Sequence, residues 1–252
     1  MSDCRVQKVY EACRKTFRAG KVPPIEAIQN VKRLLGEVTA LDLGLDTPPP
    51  EETRRGFGVF GRIAAFSTRS SQRFTPPITY LHVHESDNFT LAVFCLPTAA
   101  TIPLHDHPGM VVLSKLLYGS MHVRAYDWEE KNNEAGLASR ITGPRNARLV
   151  LDEVVTAGDE PMALFPSTGG NIHAFTALTP CAVFDVLAPP YMPDNGRDCT
   201  YYSESSPNID VSNNSKEDLD SMIPGSSAIL EQCQPPDDFV VRRGKYNGPE
   251  VA

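Results

Sequence analysis

Between residues 78 and 187 the chain is a succession of short apolar runs, each cut off by glycine, proline or a small polar residue. The runs cover 78–84, 89–96, 110–117, 121–126, 149–155, 162–165, 173–177 and 181–187. The breaks carry Pro97, Gly119-Ser120, Gly143-Pro144, Gly158-Asp159, Gly169-Gly170 and Pro180. Such runs are too short for ordinary helices, and between turn residues they read as strands. Many short strands at this spacing fold as a sandwich or a barrel. The expected class is therefore mainly β.

The segment before this region has a different texture. Val6, Val9, Tyr10, Cys13 and Phe17 recur at steps of three and four, which predicts a helix over 4–18. Ile25, Ile28, Val31, Leu35 and Val38 predict a second helix over 24–38. Pro24 suits its first turn, Glu26 its positive end and Lys32-Arg33 its negative end. Residues 46–52 contain Pro48-Pro49-Pro50 and no periodicity, so they read as a linker. The expected organisation is a helical segment and linker over 1–50, followed by one β domain over 51–252. Residues 203–221 read as a long polar loop and 239–242 as a last strand. No internal repeat is visible.

Charge and composition narrow the function. Hydrophobic residues make up 41% of the 252 positions, enough to bury a core. The net charge of −7 argues against a broad basic surface for nucleic acid, and no helix-turn-helix is recognisable. No apolar stretch is long enough to span a bilayer, and residues 1–10 lack the apolar core of a secretory leader. A soluble intracellular protein, monomeric and not on a membrane, is expected. None of the six cysteines forms a C-x-x-C pair, and inside a cell they should be reduced. Cys95 and Cys181 sit in apolar runs and read as core residues.

The histidines carry the chemistry. In a strand, residues i and i+2 face one side, so His105-Asp106-His107 would aim two imidazoles at one point near a barrel mouth. A second turn, Phe165-Pro166-Ser167-Thr168-Gly169-Gly170-Asn171-Ile172-His173, delivers a third histidine onto a new strand. Expected metal ligands are His105, His107 and His173. His82 and His84 form a rival H-x-H, read as structural because no turn brings a third ligand. His122 is expected to bond backbone within a strand.

This pairing resembles the double motif of the cupins: His105-x-His107 with Gly119 downstream, then Gly158, Pro166, Gly170 and His173. The resemblance implies a cupin double-stranded β-helix, a jelly-roll-like barrel, with N-terminal helices. The carboxylate that cupins often place after the second histidine is missing, since Met110 to Val112 fill that slot. Three neutral imidazoles leave a divalent metal its full charge and open positions, which favours an anionic ligand such as a thiolate. Nitrogen donors alone would also suit zinc or copper.

The stretch Ile102-Pro103-Leu104-His105-Asp106-His107-Pro108-Gly109-Met110 is similar to the signature of plant cysteine oxidases. Ser114-Lys115-Leu116-Leu117-Tyr118-Gly119-Ser120, Tyr126-Asp127-Trp128 and Gly169-Gly170-Asn171-Ile172-His173 continue the likeness, with animal cysteamine dioxygenases as more distant relatives. The resemblance implies one Fe(II) per chain, O2 as co-substrate, and oxidation of a protein's N-terminal cysteine to the sulfinic acid. It implies transcription factors, the group VII ethylene-response factors, as targets of an oxygen-sensing N-degron step in cytoplasm and nucleus. Asp185 and Tyr191 match positions the family uses beside its substrate. Asp185 would meet the substrate ammonium or a hydrogen-bond network; the alternative is a structural pair with an arginine. Cys199 and Tyr201 would share a strand face, where some thiol dioxygenases carry a thioether. The alternatives are a dioxygenase of free cysteine or cysteamine and a non-catalytic metal-binding cupin.

Overall fold

The computed structural model describes residues 4–47, 77–129, 143–205 and 224–252. Most of the expected linker and most of the expected polar loop lie outside these residues. Two helices come first, α1 (Arg5–Thr16) and α2 (Ile25–Gly36). They bury the stripes that their spacing predicts: Val6, Val9, Tyr10 and Cys13 on α1, and Ile28, Val31 and Leu35 on α2. Ile25 departs from the expected stripe. It is the first residue of α2, and its side chain is largely exposed.

Among the described residues, twelve strands follow: β1 (Ile78–Glu85), β2 (Thr90–Leu96), β3 (Thr101–His105), β4 (Val111–Tyr118), β5 (Ser120–Trp128), β6 (Arg145–Thr156), β7 (Met162–Leu164), β8 (Ile172–Ala177), β9 (Cys181–Ala188), β10 (Tyr201–Ser205), β11 (Ser227–Cys233) and β12 (Val241–Arg243). One sheet has the order β12-β1-β2-β9-β4-β7, and the other six strands close in the order β10-β11-β6-β5-β8-β3. The ring closes through one register pair, Tyr201 opposite His105. The fold is thus mainly β, with two sheets and two helices at the N-terminal end. The last strand lies slightly beyond the expected one and pairs parallel with β1.

Alternation along the strands sorts the core into layers. Leu81, Leu91, Val93, Leu113, Phe184 and Val186 leave the outer face of the first sheet and pack with the helices. Ile78, Leu96, Leu116 and Val183 leave its inner face and meet Met121, Val123 and Phe175 of the second. Strand β9 lies between β2 and β4, and all eight of its residues are buried. Its apolar run is the signature of a strand covered on both faces. Asp185 is the one charged residue in it.

Two expectations about histidines change. A β-bulge between His82 and His84 breaks the alternation that would put both on one face. His84 turns to the helices, 4.8 Å from the Tyr10 ring, whereas His82 stays beside Tyr80 on the inner side. His122 bonds the Asp152 carboxylate rather than backbone. The adjacent outward position, Arg124, lies directly opposite Asp152, so both side chains converge on that carboxylate.

The cysteines are all free thiols. Gly119, between β4 and β5, has a φ of 82°. A Cβ there would come within 2.7 Å of the Cys181 Cβ and would press on the Pro180 carbonyl. Gly119→Ala is therefore expected to destabilise the fold by roughly 2 kcal/mol or more, combining left-handed strain with overpacking. A urea midpoint within error of wild type would show that the turn relaxes freely.

Candidate metal centre

Strand register brings the first two imidazoles together. His105 ends β3 directly opposite His173 of β8. Directly opposed residues of antiparallel neighbours send their side chains to the same face. His107 is not on that strand, contrary to the expectation for an H-x-H pair. The strand stops at His105, and the chain turns through Gly109, whose φ is 67°. What holds His107 is the side chain of Asn171. Its Oδ1 accepts from the His107 N–H at 3.0 Å, and its Nδ2 donates to the His107 carbonyl at 2.9 Å. The amide thus takes the place of a strand partner. Nδ2 also donates to the Phe165 carbonyl at 2.9 Å.

Asn171 is fixed in turn by Asp127. The backbone N–H groups of Gly169, Gly170 and Asn171 all donate to its carboxylate, at 2.9 to 3.0 Å. Gly170 is needed at this turn, because a Cβ would come within 2.6 Å of Ala125 Cβ. Neither Asp127 nor Asn171 was singled out by sequence for this role. The only signal was a carboxylate and an amide standing among apolar or glycine neighbours, where a polar group needs partners.

The three rings sit 4.7 to 4.9 Å apart, centroid to centroid, and their ligand atoms lie within 4.8 Å of one another. All three are buried. His105 Nδ1 lies 2.8 Å from the Pro103 carbonyl and His107 Nδ1 3.2 Å from the Asn171 carbonyl. A carbonyl only accepts, so each Nδ1 carries the proton and Nε2 is left to bind. His173 stacks on Phe175 at 4.4 Å. Burial, and then the neighbouring imidazoles, hold His107 and His173 well below the ordinary histidine range, and burial lowers His105. Neutral imidazole is the ligating form. The donor set thus fits a divalent transition metal. In the cupin carboxylate slot, Met110 and Val112 are buried against Leu164 and Leu187.

Asp185 lies directly opposite Ser114 of β4. Burial pushes its carboxyl up to about 7, opposed by the Ser114 hydroxyl. Its Oδ1 has no hydrogen-bond partner, arginine included, among the described residues. Ser114 shares a small cavity with His173. Tyr191 stands beside His107, with ring centroids 5.6 Å apart, and donates to the Asp106 carbonyl at 2.8 Å. Burial raises its phenol well above the ordinary value. The Cys199 thiol reaches the hydroxyls of both Tyr191 and Tyr201, and burial raises it to about 11. Cys199 precedes β10, so it does not share a strand with Tyr201. Asp106 ties this edge down, accepting from Thr200 N–H at 2.9 Å and Tyr202 hydroxyl at 3.0 Å.

A family model described as PCO_ADO matches residues 34–251. The chain belongs to this thiol dioxygenase family. It is 38% identical to plant cysteine oxidase 1 of Arabidopsis thaliana, over 98% of this chain and 80% of that protein. It is 36% identical to plant cysteine oxidase 2 of the same plant, over 98% and 83%. Against 2-aminoethanethiol dioxygenase of Homo sapiens the identity is 36%, over 70% of this chain and 69% of that one. Among solved structures, an oxalate oxidase in complex with the substrate analogue glycolate is 15% identical over 62% of this chain and 69% of that chain, with a TM-score of 0.33.

If Asn171 is what holds His107 in place, Asn171→Ala should weaken metal binding by about 10- to 100-fold while the protein stays folded. Competition with a chromophoric chelator measures this, and wild-type affinity would mean that the turn holds His107 without the amide.

Proposed function

We propose that this protein is an iron(II)- and O2-dependent dioxygenase that converts the N-terminal cysteine of target proteins to cysteine sulfinic acid. The observation that carries the reading is the buried, carboxylate-free set of His105, His107 and His173, together with a buried Asp185 whose Oδ1 has no hydrogen-bond partner among the described residues. One iron(II) bound there would hold thiolate and dioxygen side by side and supply the oxidising chemistry. The rest falls to the protein. The neutral imidazoles leave the ion's charge uncancelled, so the site prefers a thiolate to a neutral ligand. Asp185 receives the substrate's α-ammonium, which pairs the lone carboxylate and holds it ionised. Tyr191 braces His107 and closes the apolar end beside Met110 and Leu187. Fixing thiol and ammonium together converts a bimolecular encounter into a local one.

Two relatives bear the name plant cysteine oxidase, which supports a cysteine substrate. The sulfinic product is effectively irreversible in most proteins, which suits a degradation signal. On this reading the targets are group VII ethylene-response factors, met in cytoplasm and nucleus, and the enzyme reports oxygen to the N-degron pathway. Among the described residues, no helix is long and apolar enough to cross a membrane. The likeness to 2-aminoethanethiol dioxygenase favours a second reading, a small free thiol as substrate.

The test is mass spectrometry of a Cys-initiated peptide incubated aerobically with the iron-loaded protein. A gain of two oxygen atoms, dependent on enzyme and oxygen, is expected. His173→Ala should lose both iron and activity; full activity in that variant would sink the ligand assignment. Asp185→Asn should retain iron yet lose turnover by at least about tenfold, because a neutral amide cannot pair the ammonium. Normal turnover in Asp185→Asn would leave the carboxylate a structural group only.

A further inference from the structure

The spacing of apolar residues predicts Ile25 in the buried stripe of α2, yet its side chain is 48% exposed, and Val22, just before the helix, is 94% exposed. Both line a groove of about 600 Å3 between the α1–α2 connection and one end of the barrel. Phe17 and Ile28 line it from the helical side, Val111 and Phe165 from the barrel side. Apolar surface gathered in one concave place marks a binding surface, whereas the same residues scattered singly would not. Charge also sets this groove apart. Arg18, Lys21 and Arg197 line it against one carboxylate, Asp87, although the whole chain carries −7. None of the three cations has an ion-pair partner among the described residues. The Lys21 N–H donates to the Arg18 carbonyl at 3.2 Å, so one turn presents both side chains.

The groove and the metal centre occupy the same end of the barrel. Strand β3 ends at His105, and β8 starts at Ile172, next to His173. At that end β4 starts with Val111 and β9 stops with Ala188, which lie opposite one another and both line the groove. Three turns that carry site residues form its barrel wall. Gly109 follows the His107 turn. The Phe165 carbonyl accepts from Asn171 Nδ2, the amide that holds His107. Pro189 precedes Tyr191 on the segment where Arg197 Nε donates to the Pro190 carbonyl at 3.1 Å.

We propose that this groove docks an acidic, apolar segment of the substrate protein, further along its chain than the N-terminal cysteine. The inference rests on the reading of a Cys-initiated protein as substrate. Apolar side chains of the segment cover Val22 and Ile25, and its carboxylates pair with Arg18, Lys21 and Arg197. The stretch between cysteine and segment acts as a flexible tether, so no fixed track between groove and metal is required. Docking raises the effective concentration of the cysteine at the centre. The groove thereby selects among proteins that share an N-terminal cysteine, and a free thiol gains nothing from it.

The experiment uses the iron-loaded full chain and three Cys-initiated peptides. The first is cysteine followed by a glycine-serine linker of about 12 residues, which spans roughly 20 Å on average. The second continues into a block alternating aspartate and glutamate with leucine and phenylalanine. The third has lysine in place of every acidic residue. The acidic block is expected to lower KM and anaerobic Kd about tenfold relative to the linker alone, with kcat held, and high salt should shrink the gain. The double variants Arg18→Glu/Lys21→Glu and Val22→Ser/Ile25→Ser should each lose most of that gain while oxidising the linker peptide as wild type does. If all three peptides bind and react alike, the groove is overturned and the substrate reading stands. Retention of the full gain in both double variants places the block elsewhere and overturns the groove too. If the block without its cysteine binds the groove yet gives no gain when tethered, the groove serves another protein and the proposal falls. A concentration-dependent dimer lost in both double variants would assign the groove to a second copy instead. If wild type oxidises none of the peptides, the substrate reading fails and the assignment of the groove falls with it.

Discussion

The centre depends on burying three uncharged imidazoles, with carbonyl oxygens meeting the outer nitrogens of His105 and His107. A protonated histidine would be costly in that setting, and a freely rotating one would not ligate. Two of the rings owe their places to ordinary strand register, His105 facing His173 across β3 and β8. The third would drift with the turn were it not held by Asn171, which Asp127 anchors through three N–H groups. The polar clamp is thus the point at which a generic two-sheet fold becomes a metal site. The same register also decides which side chains look onto that site from the opposite sheet.

The barrel's texture was legible because most strands alternate against one core, and β9, buried on both faces, announced itself by an unbroken apolar run. Strand β11 escaped notice because only Ala228 and Leu230 of its seven residues are buried, between glutamate, glutamine and serine. Strand β6 starts earlier than its apolar run suggests. Its first residue is Arg145, a buried arginine whose guanidinium lies 4.0 Å from the centre of the Trp128 ring, and hydropathy alone gives such a residue no strand signal.

The three ligands were legible too, though partly by a route the structure replaces. An H-x-H pair suggests one strand face, yet His107 arrives from beyond the strand end on a side-chain amide. Sequence could name Asp185 as an anomalous charge but could not show that it faces a serine and that one oxygen has no hydrogen-bond partner among the described residues. That depends on which residues three neighbouring strands bring alongside it. The family resemblance supplied what periodicity lacks, since likeness to known chains preserves the turns as well as the strands.

The bulge in β1 also separates two histidines that an unbroken strand would set side by side. An uninterrupted strand would have offered His82 and His84 as a chelating pair at a sheet edge, a competing trap for any ion on its way to the interior. One extra residue sends the second ring into the aromatic packing around Tyr10 and Phe89, so the two cannot grip the same ion. The decoy is dismantled by backbone geometry rather than by removing a histidine. Among the described residues, one cluster that could hold a metal ion is then left, built from His105, His107 and His173.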